Sequence, residues 1–170
     1  IYFGVAGPVD NPDITVSNFG AGFNVYASPN WYGEAVIKID VWDGALADTA
    51  YFNLTVNAVD DLPVVANPLL DITVNEDAQD TVVADLDAVF MDVDEELEYS
   101  HVVEDTALVF ASVTNDTVTL QFLPDANGST NIIFTATNPM IRASVSDTMV
   151  LTIVSINDAP IAAEYPDTSI

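Results

Sequence analysis

Asp92-Val93-Asp94, with Glu96 two residues further on, places carboxylates at every other position of a short acidic run. In a bent loop that spacing turns several hard oxygen donors toward one point. This is the chemistry of a Ca²⁺ site, which takes ~6 to 8 oxygen ligands in a forgiving geometry, whereas Mg²⁺ demands a stricter octahedron. The run is not an EF-hand, since no glycine occupies the turn position and no bidentate glutamate follows at the required distance. Acidic pairs recur at Asp60-Asp61 and Glu76-Asp77, and Asn157-Asp158 offers an amide beside a carboxylate, each next to an apolar run. Together Asp60, Asp61, Glu76, Asp77, Asp92, Asp94, Glu96, Asn157 and Asp158 are the candidate metal-ligating residues, and Ca²⁺ is the cofactor they suit. Any one of them taken alone reads equally well as a solvated turn residue on an acidic surface.

Other chemistries are excluded by composition. The 170 residues contain 27 acidic groups against two basic ones (Lys38 and Arg142), one histidine and no cysteine, for a formal charge of -25. Such a chain repels phosphate backbones and anionic headgroups, so nucleic acid is not a partner and direct membrane insertion is not expected. Zinc clusters built on several Cys or His, disulfides and thiol nucleophiles are impossible. A lone His101 offers no Ser/His/Asp arrangement, and a glycosidase carboxylate pair needs a cleft that narrow sandwiches rarely provide. The chain is therefore read as no enzyme. Half the residues are hydrophobic, too many for a disordered acidic tail. No run of about 18 apolar residues exists to span a bilayer, and no basic-then-apolar signal opens the chain.

The elements that position the acids are legible from an internal repeat. Pro29, Trp31, Tyr32, Gly33, the run from Val36 to Trp42 and Phe52 to Pro63 are answered by Pro124, Asn127, Gly128, the run from Asn131 to Thr137 and Met149 to Pro160. The offset is 95 at the glycines (128 minus 33) and 97 at the prolines (160 minus 63), the difference being a longer loop in the second copy. Segments 70–75, 80–90, 97–103, 107–113, 117–123, 131–137 and 147–156 are β-branched and apolar with turn residues between them. Seven such strands predict an all-β fold of tandem antiparallel Greek-key β-sandwiches, immunoglobulin-like or cadherin-like. No segment shows a helical period. Residues 1–61 read as the C-terminal part of one repeat lacking its first two strands, 62–158 as a complete repeat, and 159–170 as the opening strand of a third. The chain thus reads as a piece of a longer array, with the missing strands supplied by upstream sequence.

Asp71-Ile72-Thr73-Val74-Asn75-Glu76-Asp77, Phe90-Met91-Asp92-Val93-Asp94-Glu95-Glu96-Leu97-Glu98-Tyr99, Pro124-Asp125-Ala126-Asn127-Gly128 and Ile156-Asn157-Asp158-Ala159-Pro160 together resemble the bacterial cadherin-like repeats of large surface adhesins. The resemblance implies sandwiches strung end to end, stiffened by calcium at their junctions, on secreted or bacterial cell-surface proteins. Neighbouring repeats of the same polypeptide are then the first partners, with other copies or a surface polysaccharide as further candidates.

Strand alternation gives a geometric expectation of its own. If the first strand of the complete repeat runs away from the preceding one, Glu76 and Asp77 fall at the far end, Asp92 and Asp94 return beside Asp60 and Asp61, Asp125 falls far, the loop 138–146 near, and Asn157 with Asp158 far. Asn138 stands where the first copy has Asp43, which removes one carboxylate from the near end.

Two motifs lie outside the acid clusters. Trp31, Tyr32 and Trp42 have no aromatic counterparts in the second copy and form a candidate carbohydrate-binding patch; packing against a neighbour is the more frequent reason for such a patch. Asp followed by Thr and an apolar residue occurs five times, at Thr49, Thr81, Thr106, Thr117 and Thr148, where chance gives about one. These triplets resemble an O-glycosylation acceptor of exported bacterial proteins, and they equally suit a loop-to-strand transition. Asn53, Asn115 and Asn127 head Asn-x-Ser/Thr sequons.

Overall fold

The computed structural model describes residues 2–8, 11–19 and 22–160. The opening strand expected at 159–170, and Tyr165 within it, fall almost wholly outside that range. The chain divides into two compact units, Ile1–Asp60 and Asp61–Ile170.

In the first unit β1 (Tyr2–Pro8), β4 (Gly33–Trp42) and β5 (Ala47–Val56) form one antiparallel sheet in the order β1-β4-β5. β2 (Ile14–Phe19) and β3 (Gly22–Ala27) form a second, two-stranded one. Its core is small. Ile14, Ala35 and Ile37 are buried, with Trp31, Phe23, Val25, Phe52 and Leu54 only partly covered around them.

The second unit contains β6 (Val64–Val65), β7 (Ile72–Asn75), β8 (Thr81–Asp85), a single helical turn α1 (Leu86–Val89), β9 (Phe90–Met91), β10 (Glu98–Val103), β11 (Val109–Thr114), β12 (Thr117–Phe122), β13 (Gly128–Thr137) and β14 (Ser144–Val154). Two sheets, β10-β13-β14-β7 and β11-β12-β8, enclose a core that includes Leu86, Phe90, Val109, Leu120, Ile132, Phe134, Met149 and Leu151. The chain is all-β in the sandwich manner expected. One pair departs from a purely antiparallel reading: β7 lies parallel to β14, with Leu151 opposite Ile72 and Ile153 opposite Val74. The strand alternation entails it, since the first and seventh strands run the same way.

The expected strand 80–90 is broken. Asp85 accepts the backbone N–H of Asp87 at 3.2 Å and caps the turn at Leu86–Val89, whose two end residues drop into the core. One turn is too short to leave a 3.6-residue period in the sequence. The β11–β12 hairpin closes on Asn115 and Asp116, both at positive φ, the two-residue turn that matches strand twist.

The two long hairpins repeat residue for residue. Gly33 pairs with Val56 and Trp42 with Ala47; Gly128 pairs with Ile153 and Thr137 with Ser144. The offsets of 95 and 97 therefore map onto the two arms of one hairpin, and the connecting loop is 43–46 in one and 138–143 in the other. Gly33 and Gly128 share a φ near +140° (138° and 143°) that a residue with a Cβ resists. Gly128→Ala would also bring its Cβ to 3.4 Å from Leu108 Cδ1. It should destabilise the second unit by about 1–3 kcal/mol in urea unfolding.

Candidate metal centre

At the end of β7 the chain leaves the sheet through Glu76 and Asp77. The N–H of Glu76 donates to Val154 O at 2.9 Å, extending the ladder one residue beyond the strand. Its carboxylate is buried, at 5% exposure. Oε1 accepts the N–H of Ile156 at 2.6 Å and Oε2 accepts the Asn127 amide at 3.3 Å. One glutamate therefore ties together the exit of β7, the loop before β13 and the segment leaving β14. A buried carboxylate with such donors is a fastener of loops.

The loops so held bring three aspartates together. Carboxylate oxygens of Asp77, Asp125 and Asp158 lie within 4.8 Å of one another, and all three residues are exposed. Asp77 and Asp125 sit in the left-handed region, at φ 61° and 54°, which aspartate tolerates better than most residues. The N–H of Asp125 donates to Asp77 Oδ1 at 3.1 Å, fixing one loop on the other. The Asp158 carboxyl is held above the ordinary carboxylate value, first by desolvation and then by the charges of Glu76, Asp125 and Asp77. Among the described residues the ion pair is elsewhere, Lys38 Nζ to Asp40 Oδ2 at 2.9 Å in the first unit. The cluster thus concentrates negative charge without a protein cation to offset it.

The donor set fits a calcium ion. Two ligands of one Ca²⁺ at ~2.3–2.6 Å can be no more than about 5 Å apart, and the three carboxylate oxygens lie within that reach of one another.

The opposite end of the second unit is organised differently. Asp92 Oδ1 accepts the N–H groups of Asp94 at 3.0 Å and Glu95 at 3.2 Å, while Oδ2 accepts the Asn138 amide at 3.0 Å. Desolvation pushes the Asp92 carboxyl up, and the donors from Asp94, Asn138 and Glu95 outweigh it, holding the group below the usual range. Asp94 Oδ2 accepts the N–H of Asp61 at 2.9 Å. Asn138 is fully buried; its Oδ1 accepts the N–H groups of Met140 and Ile141 at 2.9 and 3.3 Å. The loss of a carboxylate expected from the Asp43 to Asn138 change is thus only part of the matter, since the amide positions Asp92.

The remaining candidates distribute as follows. Asp60 is the last residue of the first unit. Glu96 is exposed and stands outside the grouped carboxylates, and the Asn157 amide donates to the Asp158 carbonyl at 3.2 Å. Asp125 was absent from the predicted ligands although alternation placed it at this end; its partners lie 48 and 33 residues away (125 minus 77, 158 minus 125). Proximity to Asp77 through a left-handed turn has no signature in spacing.

The aromatic patch does not assemble. Tyr32 immediately precedes the ten-residue β4 and Trp42 ends it, about 30 Å apart at ~3.3 Å per residue, and Trp31 is half-buried against the Ile14–Ile37 core. The Asp-Thr triplets have local roles. Asp48 and Asp147 each accept the N–H of the following threonine, at 2.8 and 2.9 Å, and Asp105 accepts that of Ala107 at 2.9 Å. Thr49, Thr81, Thr106 and Thr148 are exposed and Thr117 is half-buried. The Thr49 hydroxyl donates to Asp40, that of Thr81 to Gln79 O and that of Thr117 to Asn115 O. His101, the lone histidine, is half-buried, with Nε2 3.0 Å from Ala111 O and its ring 6.0 Å from that of Phe134.

Among the described residues no helix is long and apolar enough to cross a membrane. No family model and no curated protein matches the chain. Solved structures similar to it include human protocadherin-24 EC1-2, at 14% identity and TM-score 0.49 over 94% of this chain and 82% of that one. Drosophila N-cadherin EC1-3 is similar at 12% identity and TM-score 0.45, over 91% of this chain and 55% of that one. An endo-fucoidan hydrolase of glycoside hydrolase family 107 is similar at 16% identity and TM-score 0.44, over 92% of this chain. The chain spans 24% of that hydrolase's length. Cadherin extracellular domains are thus among its structural neighbours, and the likeness is one of β-sandwich folds.

Proposed function

We propose that the chain is a non-catalytic structural or adhesion repeat of a large extracellular, cell-surface protein, and that its sandwich ends hold Ca²⁺. The observation that supports this reading is the grouping of Asp77, Asp125 and Asp158, three exposed carboxylates from three separate segments with no basic side chain among them. Bound there, a calcium ion would neutralise their mutual repulsion. The residues themselves do the positioning: Glu76 anchors the outgoing segment through Ile156, and the Asp125 N–H holds its loop on Asp77. Asp61, Asp92 and Asp94 are the corresponding acids at the other end. A spacer needs nothing further from its surface, whereas a sugar-binding reading relied on an aromatic patch that β4 separates into two ends.

Calorimetric titration with Ca²⁺ and melting curves in calcium and in chelator test the proposal. At a hundredfold excess over Kd, binding to the native state alone should stabilise the second unit by about 2.7 kcal/mol. Asp125→Asn should remove most of that gain. The raised Asp158 carboxyl carries a linked prediction. Its repulsive cost is absent below the unfolded value and grows as pH rises through the folded one, so in chelator the second unit should gain stability as pH falls toward the ordinary value of 3.8. Calcium should abolish the gain. Superimposable melting curves with and without calcium would sink the reading.

A further inference from the structure

Strands of the second unit put polar side chains outward, except at one place. The outer positions of β13 and β14 carry hydroxyls, as in the pairs Thr135–Ser146 and Thr137–Ser144. At β6 and β9 the register sets Val65 opposite Phe90 and Val64 opposite Met91. The first pair packs in the core, while Val64 and Met91 face out at 51% and 53% exposure. Leu62 and Val93, exposed by 67% and 54%, adjoin them. These four side chains and Asp61 line an open groove of about 390 Å³. Large apolar side chains gathered beside a charge on the surface mark an interaction site.

A second display flanks Asp92 from the other side. Asp92 stands between Met91 and Val93 of the groove, and its Oδ2 accepts the amide of Asn138, which carries the loop 138–143. That loop is fixed. Asn138 Oδ1 accepts the N–H groups of Met140 and Ile141, the Asn138 N–H donates to Ala143 O, and the Arg142 N–H donates to Asn138 O. Arg142 is held at φ 58°, where glycine would sit without strain. The first unit turns the matching hairpin through the shorter loop 43–46 and gives the left-handed position to Gly44, at φ 102°. The longer loop and its strained arginine are therefore not needed to turn the chain. What they add is a rigid display of Met140, Ile141 and Arg142, the first two exposed by 68% and 43%. Arg142 is the second unit's single lysine or arginine, and among the described residues no carboxylate forms an ion pair with it.

We propose that groove and loop dock on each other between two copies of the chain, the loop of each copy seated in the groove of the other. Met140 and Ile141 cover the apolar floor, and the Arg142 guanidinium meets the Asp61 carboxylate that lines the groove, a charge-assisted pair suited to arginine's fork. Because both features flank Asp92, a two-fold axis beside it exchanges them, as an isologous contact requires. A basic and apolar finger is also the part of so acidic a chain that a second copy repels least. A contact of this size is weak and transient. With 27 acidic groups against two basic ones in each copy, it also needs salt to screen the remaining charge. No bound ion takes part.

Sedimentation equilibrium and NMR dilution of the 170-residue chain test this in chelator at ~0.15 M salt, where charges beyond ~8 Å are screened. The apparent mass should climb from 18.2 kDa toward twice that value as concentration rises. Amide shifts should move on dilution at residues 61–64, 91–93 and 139–142. Arg142→Glu should weaken association at least ~tenfold, since it sets like charges together, and Val64→Asp should abolish it. Arg142→Gly should also weaken association while raising the melting temperature, because it relieves the left-handed strain; that separates the contact from the fold. Val154→Asp, at an exposed position ending β14, should change nothing. The proposal is overturned if the chain stays monomeric at NMR concentrations, or if the moving shifts lie elsewhere. It is equally overturned if Arg142→Glu and Val64→Asp associate like the parent, or if Val154→Asp disrupts as much as they do.

Discussion

Phe134→Ala should destabilise the second unit by about 3–5 kcal/mol, the range for removing a fully buried aromatic ring from a packed core. Phe134 is 0% exposed at the middle of β13, an interior strand between β10 and β14, and its ring lies 6.0 Å from that of His101 on β10. The cavity left behind would be lined by strands fixed on both sides, so little collapse can refill it. The same position in the first copy, 95 residues earlier, is Ile39, which is only partly buried. Ile39→Ala should therefore cost the first unit markedly less, about 1–2 kcal/mol. Trp31 and Trp42 are the chain's two tryptophans and both lie in the first unit, so their fluorescence follows its unfolding. Hydrogen exchange in β13 and β14 follows the second unit. A Phe134→Ala chain whose β13 amides exchange no faster than those of the parent would show that this core is not what holds the sandwich together.

What the sequence disclosed and what it hid divide along a physical line. The hairpins Gly33–Trp42 with Ala47–Val56 and Gly128–Thr137 with Ser144–Val154 were legible because period-2 alternation and a repeated glycine are local features. The sequence reading was of antiparallel strands throughout, and the parallel β7–β14 pair lies outside it although counting strand reversals entails it; the same count puts Asp77, Asp125 and Asp158 at one end, where the three carboxylates lie together. Individual side-chain roles were not legible. Glu76 looks like any loop acid until its burial and its bonds to Ile156 and Asn127 are seen. The helical turn at Leu86–Val89 was hidden because tertiary burial of its two ends decides it, and the aromatic trio misled because strand length, not sequence proximity, sets the distance from Tyr32 to Trp42.

Asn138→Ala should cost about 2–4 kcal/mol, unusually much for a loop residue, because three bonds converge on one buried amide. Its Oδ1 accepts from Met140 and Ile141, and its Nδ2 donates to Asp92 Oδ2 at 3.0 Å. Alanine leaves two loop N–H groups without that acceptor and deprives Asp92 of one of the donors that hold its pKa down. A depressed carboxylate contributes stability above its unfolded value and loses it as pH falls through the folded one. With Asn138 gone the Asp92 carboxyl moves up toward its unfolded value, so the acid-side loss should be smaller than in the parent and should end at a higher pH. Asn138→Asp separates the two halves of the role. Asp43 shows that an aspartate serves the loop well, accepting the N–H groups of Ala45 and Leu46 with Oδ1 at 2.9 Å each. At 138, however, its second oxygen would face Asp92 where an amide now donates. In chelator that repulsion should lower the melting temperature, and calcium should restore most of it, since a cation between two carboxylates replaces the lost donor. Calcium should not rescue Asn138→Ala to the same extent. Equal responses of the two variants to calcium would mean that Asn138 serves only its loop and that Asp92 does not need it.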